Sequence, residues 1–255
     1  MAIELIQFDT FLVVFSLIIA FIAGVVKGIV GFAMPMILLS GLTTMVTAEI
    51  ALGALILPTV VSNVQLAGSQ GAKAAVSSLV QFKLFLLTGG VVLLASAQLA
   101  PYVPAVLFLG SLGIMIVSFC LFQMLDLRFS HDAQSKKAAI GFGAFAGFFG
   151  GMSGVWGPPT VAYLTALDTE KSEQIRVQGV VYGLGALLLL VGHIGSGIFT
   201  WSIAPFSAML VIPAVIGVWV GTQICKKVDQ PMFRKATLVV LLIAGCNLIR
   251  RAFLG

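Results

Sequence analysis

Charge is scarce in this chain. Only 9% of its 255 residues are charged and histidine occurs twice, against the roughly 25% charged residues of a soluble domain. That scarcity excludes an ordinary water-soluble globule. With a mean hydropathy of +1.13, it defines an integral membrane protein. Cysteine is sparse as well. Cys120, Cys225 and Cys246 fall in or at the ends of separate apolar runs, without the close spacing of a zinc or iron–sulfur site. They read as packing residues, and neither a metal nor another cofactor is expected. No Walker-type phosphate loop is present, so ATP drive within the chain is unsupported. There is no basic soluble region either, which excludes nucleic acid as a partner and leaves the lipid bilayer.

What is present is apolar sequence and glycine: 60% of the residues are hydrophobic and 28 are glycine, a composition suited to tightly packed helices. Glu4 and Asp9 precede the run FLVVFSLIIAFIAG, whereas a signal peptide carries positive charge there, so this run is expected to be a retained first helix. Apolar segments follow at 35–46, 49–67, 84–99, 104–125, 138–150, 158–167, 177–198, 203–225 and 236–249. Those opening at Pro35 and Pro158 hold about a dozen apolar residues, below the ~17 of the shortest spanning helix, and are expected to be half-helices or re-entrant pieces.

The polar stretch Leu125 to Lys137 divides the chain almost equally. FIAGVVKGIVGFAMP, Phe21 to Pro35, aligns with AFAGFFGGMSGVWGP, Ala144 to Pro158. Ala23, Gly24, Gly28, Gly31 and Pro35 pair with Ala146, Gly147, Gly151, Gly154 and Pro158, each at an interval of 123 positions (147 − 24, 158 − 35). The expected organisation is a first transmembrane repeat over 1–125, a cytoplasmic linker loop over 126–137 and a second repeat over 138–255. The expected fold is an all-α membrane protein, a polytopic helical bundle of two inverted repeats with broken or re-entrant half-helices.

With five crossings per half and the N-terminus outside, loops at 68–83, 126–137 and 226–235 share one side. They collect Lys73, Lys83, Arg128, Lys136, Lys137, Lys226, Lys227, Arg234 and Lys235, and the positive-inside rule makes that side cytoplasmic. Arg250 and Arg251 fall outside on this count, and the inside loop near Asp168 to Arg176 is net acidic. Four crossings per half with re-entrant short segments stays open.

A glycine-flanked break followed by Pro has a chemical meaning in a membrane. Pro at the start of a helix lacks an amide that would be unpaired anyway, and the neighbouring free amides with the positive dipole end make an anion site. Opposed repeats would bring two such ends together near the bilayer midplane. The other reading of Gly24, Gly28, Gly147 and Gly151 is helix packing through small residues. Lys27 is the cation set within the motif, opposite Gly150 in the second copy. It is expected either to face a wet cavity or anion, or to snorkel to an interface. Asn63, Gln65, Gln178, Tyr182 and His193 are polar groups in apolar segments, each a substrate contact or an interhelical hydrogen bond, with His193 also a proton-relay candidate.

Gly151-Met152-Ser153-Gly154 fits the GxSG of rhomboid-type intramembrane proteases, with His193 as the base of a Ser153–His193 dyad. The repeat argues against a nucleophile, because the glycines recur in the first copy where Val30 stands for Ser153. An anion channel is a further alternative.

GVVKGIVGFAMP and GFFGGMSGVWGPP together resemble the two glycine-rich copies of the sulfite exporter TauE/SafE family of membrane transporters. The likeness extends to size, bipartite layout and basic central loop. Phe32-Ala33-Met34 and Val155-Trp156-Gly157 are bulkier than the consecutive glycines of the commonest form. The resemblance implies transport of a small sulfur-containing anion (sulfite, sulfoacetate or a related organosulfonate) across the bacterial inner membrane. The expectation is a non-enzymatic secondary transporter alternating access by rocking its halves. Its substrate-binding residues are expected to be Lys27, Gly28, Gly31, Pro35, Asn63, Gly151, Ser153, Gly154, Trp156, Pro158, Gln178 and Tyr182. A coupled proton or sodium ion and a homodimer are left open.

Overall fold

The computed structural model describes residues 9–42, 44–97, 105–124, 134–153, 156–195 and 199–253. Every regular element among them is helical, as expected. The order is α1 (Thr10–Val30), α2 (Met34–Leu42), α3 (Ala48–Ala67), a 3-10 turn (Gly68–Gln70), α4 (Ala72–Gln81), α5 (Lys83–Ala97), α6 (Ala105–Met124), α7 (Lys136–Ser153), α8 (Gly157–Ala166), α9 (Lys171–Gly195), α10 (Ala204–Lys226) and α11 (Gln230–Phe253).

Some boundaries differ from those read off hydropathy. The expected loop 68–83 is largely helix α4, which meets α5 at a bend of 73°. The expected loop 226–235 shrinks to the three residues between α10 and α11, and α9 begins six residues before its apolar run. Hydropathy marks the apolar middle of a helix, while Lys, Glu, Gln and Arg at its ends are good helix formers. Residues 126–133 of the expected linker lie outside the described residues, and Lys136 and Lys137 already belong to α7.

Among the described residues three helices are long and apolar enough to cross a bilayer: α1, α10 and Gln230–Arg250 of α11. The bent α4–α5 pair makes a fourth when counted as one span. This is fewer than five per half. The two segments opening at proline are short helices of 9 and 10 residues.

Contacts divide the chain into two compact units, each drawing on both sequence halves. The first holds residues up to Leu66 and Tyr182–Lys227; the second holds Ala67–Val181 and everything from Val228 on. In the first unit α1 packs against α10 through small residues. A Cβ on Gly24 would lie 2.3 Å from the Ala214 carbonyl oxygen, and one on Gly221 would lie 2.2 Å from that of Val25. The large side chains point away: Phe11, Val14, Ile18 and Ile22 on α1 and Ile212, Ile216 and Trp219 on α10 are exposed. Small residues inside and large apolar ones outside is the pattern of helices whose solvent is lipid.

α2 fills the centre of this unit, with Met34, Leu38 and Leu42 fully buried against Ala20, Ala54, Phe206 and Leu210. Pro58 interrupts α3 and removes the amide that would bond the Ala54 carbonyl. Ser207 of α10 repairs the gap: its hydroxyl donates to Ala54 O at 2.8 Å and accepts from the Leu57 amide at 3.1 Å.

In the second unit α5 packs against α7 in the same manner, with Gly147 placed where a Cβ would lie 2.1 Å from the Gly89 carbonyl oxygen. α8 is buried from Pro158 to Leu164. Its Tyr163 stacks on Phe85 at 5.3 Å and on Phe142 at 5.0 Å. α6 pairs with α11. One interval recurs in the helix boundaries: 153 − 30 for the ends of α1 and α7, 157 − 34 for the starts of α2 and α8, and 171 − 48 for the starts of α3 and α9 each give 123.

Candidate functional site

α1 ends where the sequence demands it. Gly31 takes the left-handed conformation (φ 86°) that favours glycine and donates its amide to Lys27 O at 2.7 Å. Ala33 also has positive φ, 75°, a conformation costing an L-residue about 1–2 kcal/mol. With Phe32 between them these residues turn the chain from α1 into α2. Pro35 is the second residue of α2, as Pro158 is of α8, one place further in than expected. Nothing is lost, because none of the first four amides of a helix has an intrahelical acceptor.

Successive residues of an α-helix point about 100° apart, and at the end of α1 that separates two functions. Gly28 faces α10, where a Cβ would meet Val218 O at 2.3 Å. Lys27 faces α3. It is 1% exposed, so it does not snorkel. Its ammonium donates to Ser62 Oγ at 2.9 Å and to Asn63 Oδ1. Ser62 is held in turn by a bond to Thr59 O at 3.2 Å and lies 3.7 Å from Met34 Sδ at the start of α2. Both partners of the ammonium are neutral. Among the described residues one ion pair occurs, Arg176 with Glu173 at 3.4 Å, in the other unit. Burying a lysine in a membrane costs on the order of 2.5–3.5 kcal/mol even on insertion scales. Two neutral oxygens offset part of that cost and leave the charge uncompensated.

Of the expected site residues, the first unit thus brings Lys27 and Asn63 together, with Gly31 and Pro35 bounding the turn beside them. Tyr182 is buried in the same unit on α9, next to Gly183, where a Cβ would lie 3.6 Å from that of Asn63. Gln178 is buried on α9 in the second unit. Gly151 and Ser153 close α7; Gly154 and the side chains of Ser153 and His193 lie outside the described residues. Ser62 and Met34 were missed by sequence reasoning. The available signal was Ser62 lying beside Asn63 and three residues after Thr59, which brings it onto the helix face carrying Asn63.

The second break is built differently. Gly150 stands where Lys27 would align, and Trp156 where Ala33 would. The indole occupies the space beside Gly150: a Cβ there would lie 3.0 Å from Trp156 Cβ and 3.1 Å from its Cε3. Lysine with alanine in the first copy is exchanged for glycine with tryptophan in the second, so bulk is conserved while charge is not. Trp156 is buried, and its carbonyl accepts from the Thr160 hydroxyl at 2.9 Å.

Apolar helices with outward-facing large residues, two short buried helices at glycine-rich breaks and a lysine sealed beside one of them define a helical membrane protein whose polar chemistry lies inside the fold. The model of the sulfite exporter TauE/SafE family matches residues 16–248, and the chain belongs to that family of membrane transporters. No curated protein and no solved structure matches it. The family gives the rhomboid-like reading no support.

Proposed function

We propose that this protein is a multi-pass secondary transporter that moves a small sulfur-containing anion, sulfite, sulfoacetate or a related sulfonate, across the bacterial inner membrane. The observation that carries the reading is the buried Lys27 ammonium, held among the described residues by neutral oxygens alone, in a chain of a sulfite exporter family. An anion is the partner such a charge lacks. The recurring interval of 123 supports two copies of one helical unit. The exchange of partners between the pairs α1/α10 and α7/α5 supports it too, since α1 and α7 are counterparts. We take these copies to be inverted in the membrane, in the manner of other transporters with broken helices. Lys27 and Asn63 bind the anion and Gly31 and Pro35 shape the first break; in the second copy Ser153, Trp156 and Gln178 offer polar and aromatic groups without charge.

Purified protein in proteoliposomes is expected to give saturable sulfite or sulfoacetate flux driven by a proton or sodium gradient. Lys27→Met is expected to lower that flux by at least about tenfold, the equivalent of one charge-assisted hydrogen bond. Flux without saturation or coupling would indicate a channel, and unchanged flux in Lys27→Met would remove this residue from the site. Peptide cleavage abolished by Ser153→Ala would support the protease instead.

A further inference from the structure

Lys27 dictates which way Asn63 faces. An ammonium only donates, so it takes the amide oxygen and turns the amide nitrogen to the far side of the same small group. Asn63 is 0% exposed, and its Nδ2 finds no acceptor among the described residues. Two of the three ammonium N–H groups are engaged, at Ser62 and at Asn63. The third and the two of the amide are therefore neighbours, one amide group apart. The hydrogens this cluster leaves without an acceptor are thus one of the ammonium and the two of the amide.

We propose, building on the transport reading above, that Lys27 Nζ and Asn63 Nδ2 form a two-point donor edge that takes two oxygens of one oxyanion. A sulfonate or sulfite meets both donors at once. A monatomic halide has to be shared between the two donors, whereas two oxygens give each donor its own aligned acceptor. Ser62 is a positioning residue: it holds Nζ and leaves the edge to Asn63. The second copy does not repeat this edge. At the interval of 123, Lys27, Ser62 and Asn63 correspond to Gly150, Gly185 and Ala186, none of which has a polar side chain, and Trp156 fills the place beside Gly150.

Asn63→Asp separates this reading from a purely structural one. The substitution keeps the shape and the oxygen that Nζ needs, adds the missing counter-charge, and removes the NH2. An asparagine with a structural role alone would be replaced without loss of stability, and the uncharged Asn63→Ser variant distinguishes a binding loss owed to the missing NH2 from one owed to the added charge. Calorimetric titration of the purified protein in detergent is expected to show one equivalent of methanesulfonate or sulfite bound to the wild type, with no displacement by equimolar chloride. Asn63→Asp is expected to unfold at the same or a higher temperature and to bind at least about tenfold more weakly. If Asn63→Asp does not fold, Asn63→Ser, which keeps an acceptor for Nζ and a single donor, carries the same expectation. Oxyanion binding within about twofold of wild type in the folded variant overturns the donor edge and leaves the transport reading standing. Equal competition by chloride overturns the two-point recognition. A wild type that binds neither methanesulfonate nor sulfite overturns both readings.

Discussion

Lys27, Ser62 and Asn63 form a closed local arrangement in which the serine hydroxyl serves the ammonium and is itself tied to Thr59 O. Removing that hydroxyl strands part of a buried charge. Ser62→Ala is expected to cost about 1.5–3 kcal/mol in thermal unfolding, the range for hydrogen bonds to charged groups. In the Lys27→Met background the same substitution is expected to cost far less, because no ammonium remains to be served; the double-mutant cycle measures the difference. The sequence made Lys27 legible, as the cation within a duplicated apolar motif, and Asn63 as a polar residue in a membrane-like segment. It left Ser62 hidden, since a serine in a helix usually bonds back to its own turn and nothing local says that a lysine 35 positions away reaches it. The filling of Gly150's space by Trp156 was hidden for the same reason: it depends on how α7 meets the start of α8, which spacing alone does not give.

At the scale of elements, the glycines sort by what they touch. Gly24 abuts the backbone of α10, while Gly141 on α7 has no atom within 4 Å of an added Cβ. Gly24→Ala is expected to destabilise by about 1–3 kcal/mol, because backbone does not move aside as a side chain does. Gly141→Ala is expected to be neutral or to stabilise by about 0.5–1 kcal/mol through helix propensity. Thermal unfolding of both variants in one detergent checks the pair. The two short helices were legible because proline and glycine punctuate the sequence around them. The ends of α9 and α11 were not, because polar helix formers extend a helix beyond the apolar run that announces it.

At the scale of the molecule, both compact units are assembled from distant sequence. In the second, Arg176 on α9 donates to Ser78 Oγ at 2.8 Å and to Gln70, and pairs with Glu173. It thereby ties α9 to α4 and to the 3-10 turn. A place at the edge of a net acidic loop says nothing of these partners 98 and 106 positions away. Arg176→Lys keeps the charge and loses the fork, so it is expected to lower unfolding stability by about 1–2 kcal/mol and to speed proteolysis within 68–82.

The hydroxyl of Ser207 that completes α3 comes from a helix made 150 positions later. As the chain leaves the ribosome, α3 therefore forms with the Ala54 carbonyl uncovered, and α1 forms with its glycine stripe unpacked. Neither helix reaches its final form until α10 arrives. Biogenesis of the first unit is thus a waiting state, and α10 is the element that ends it.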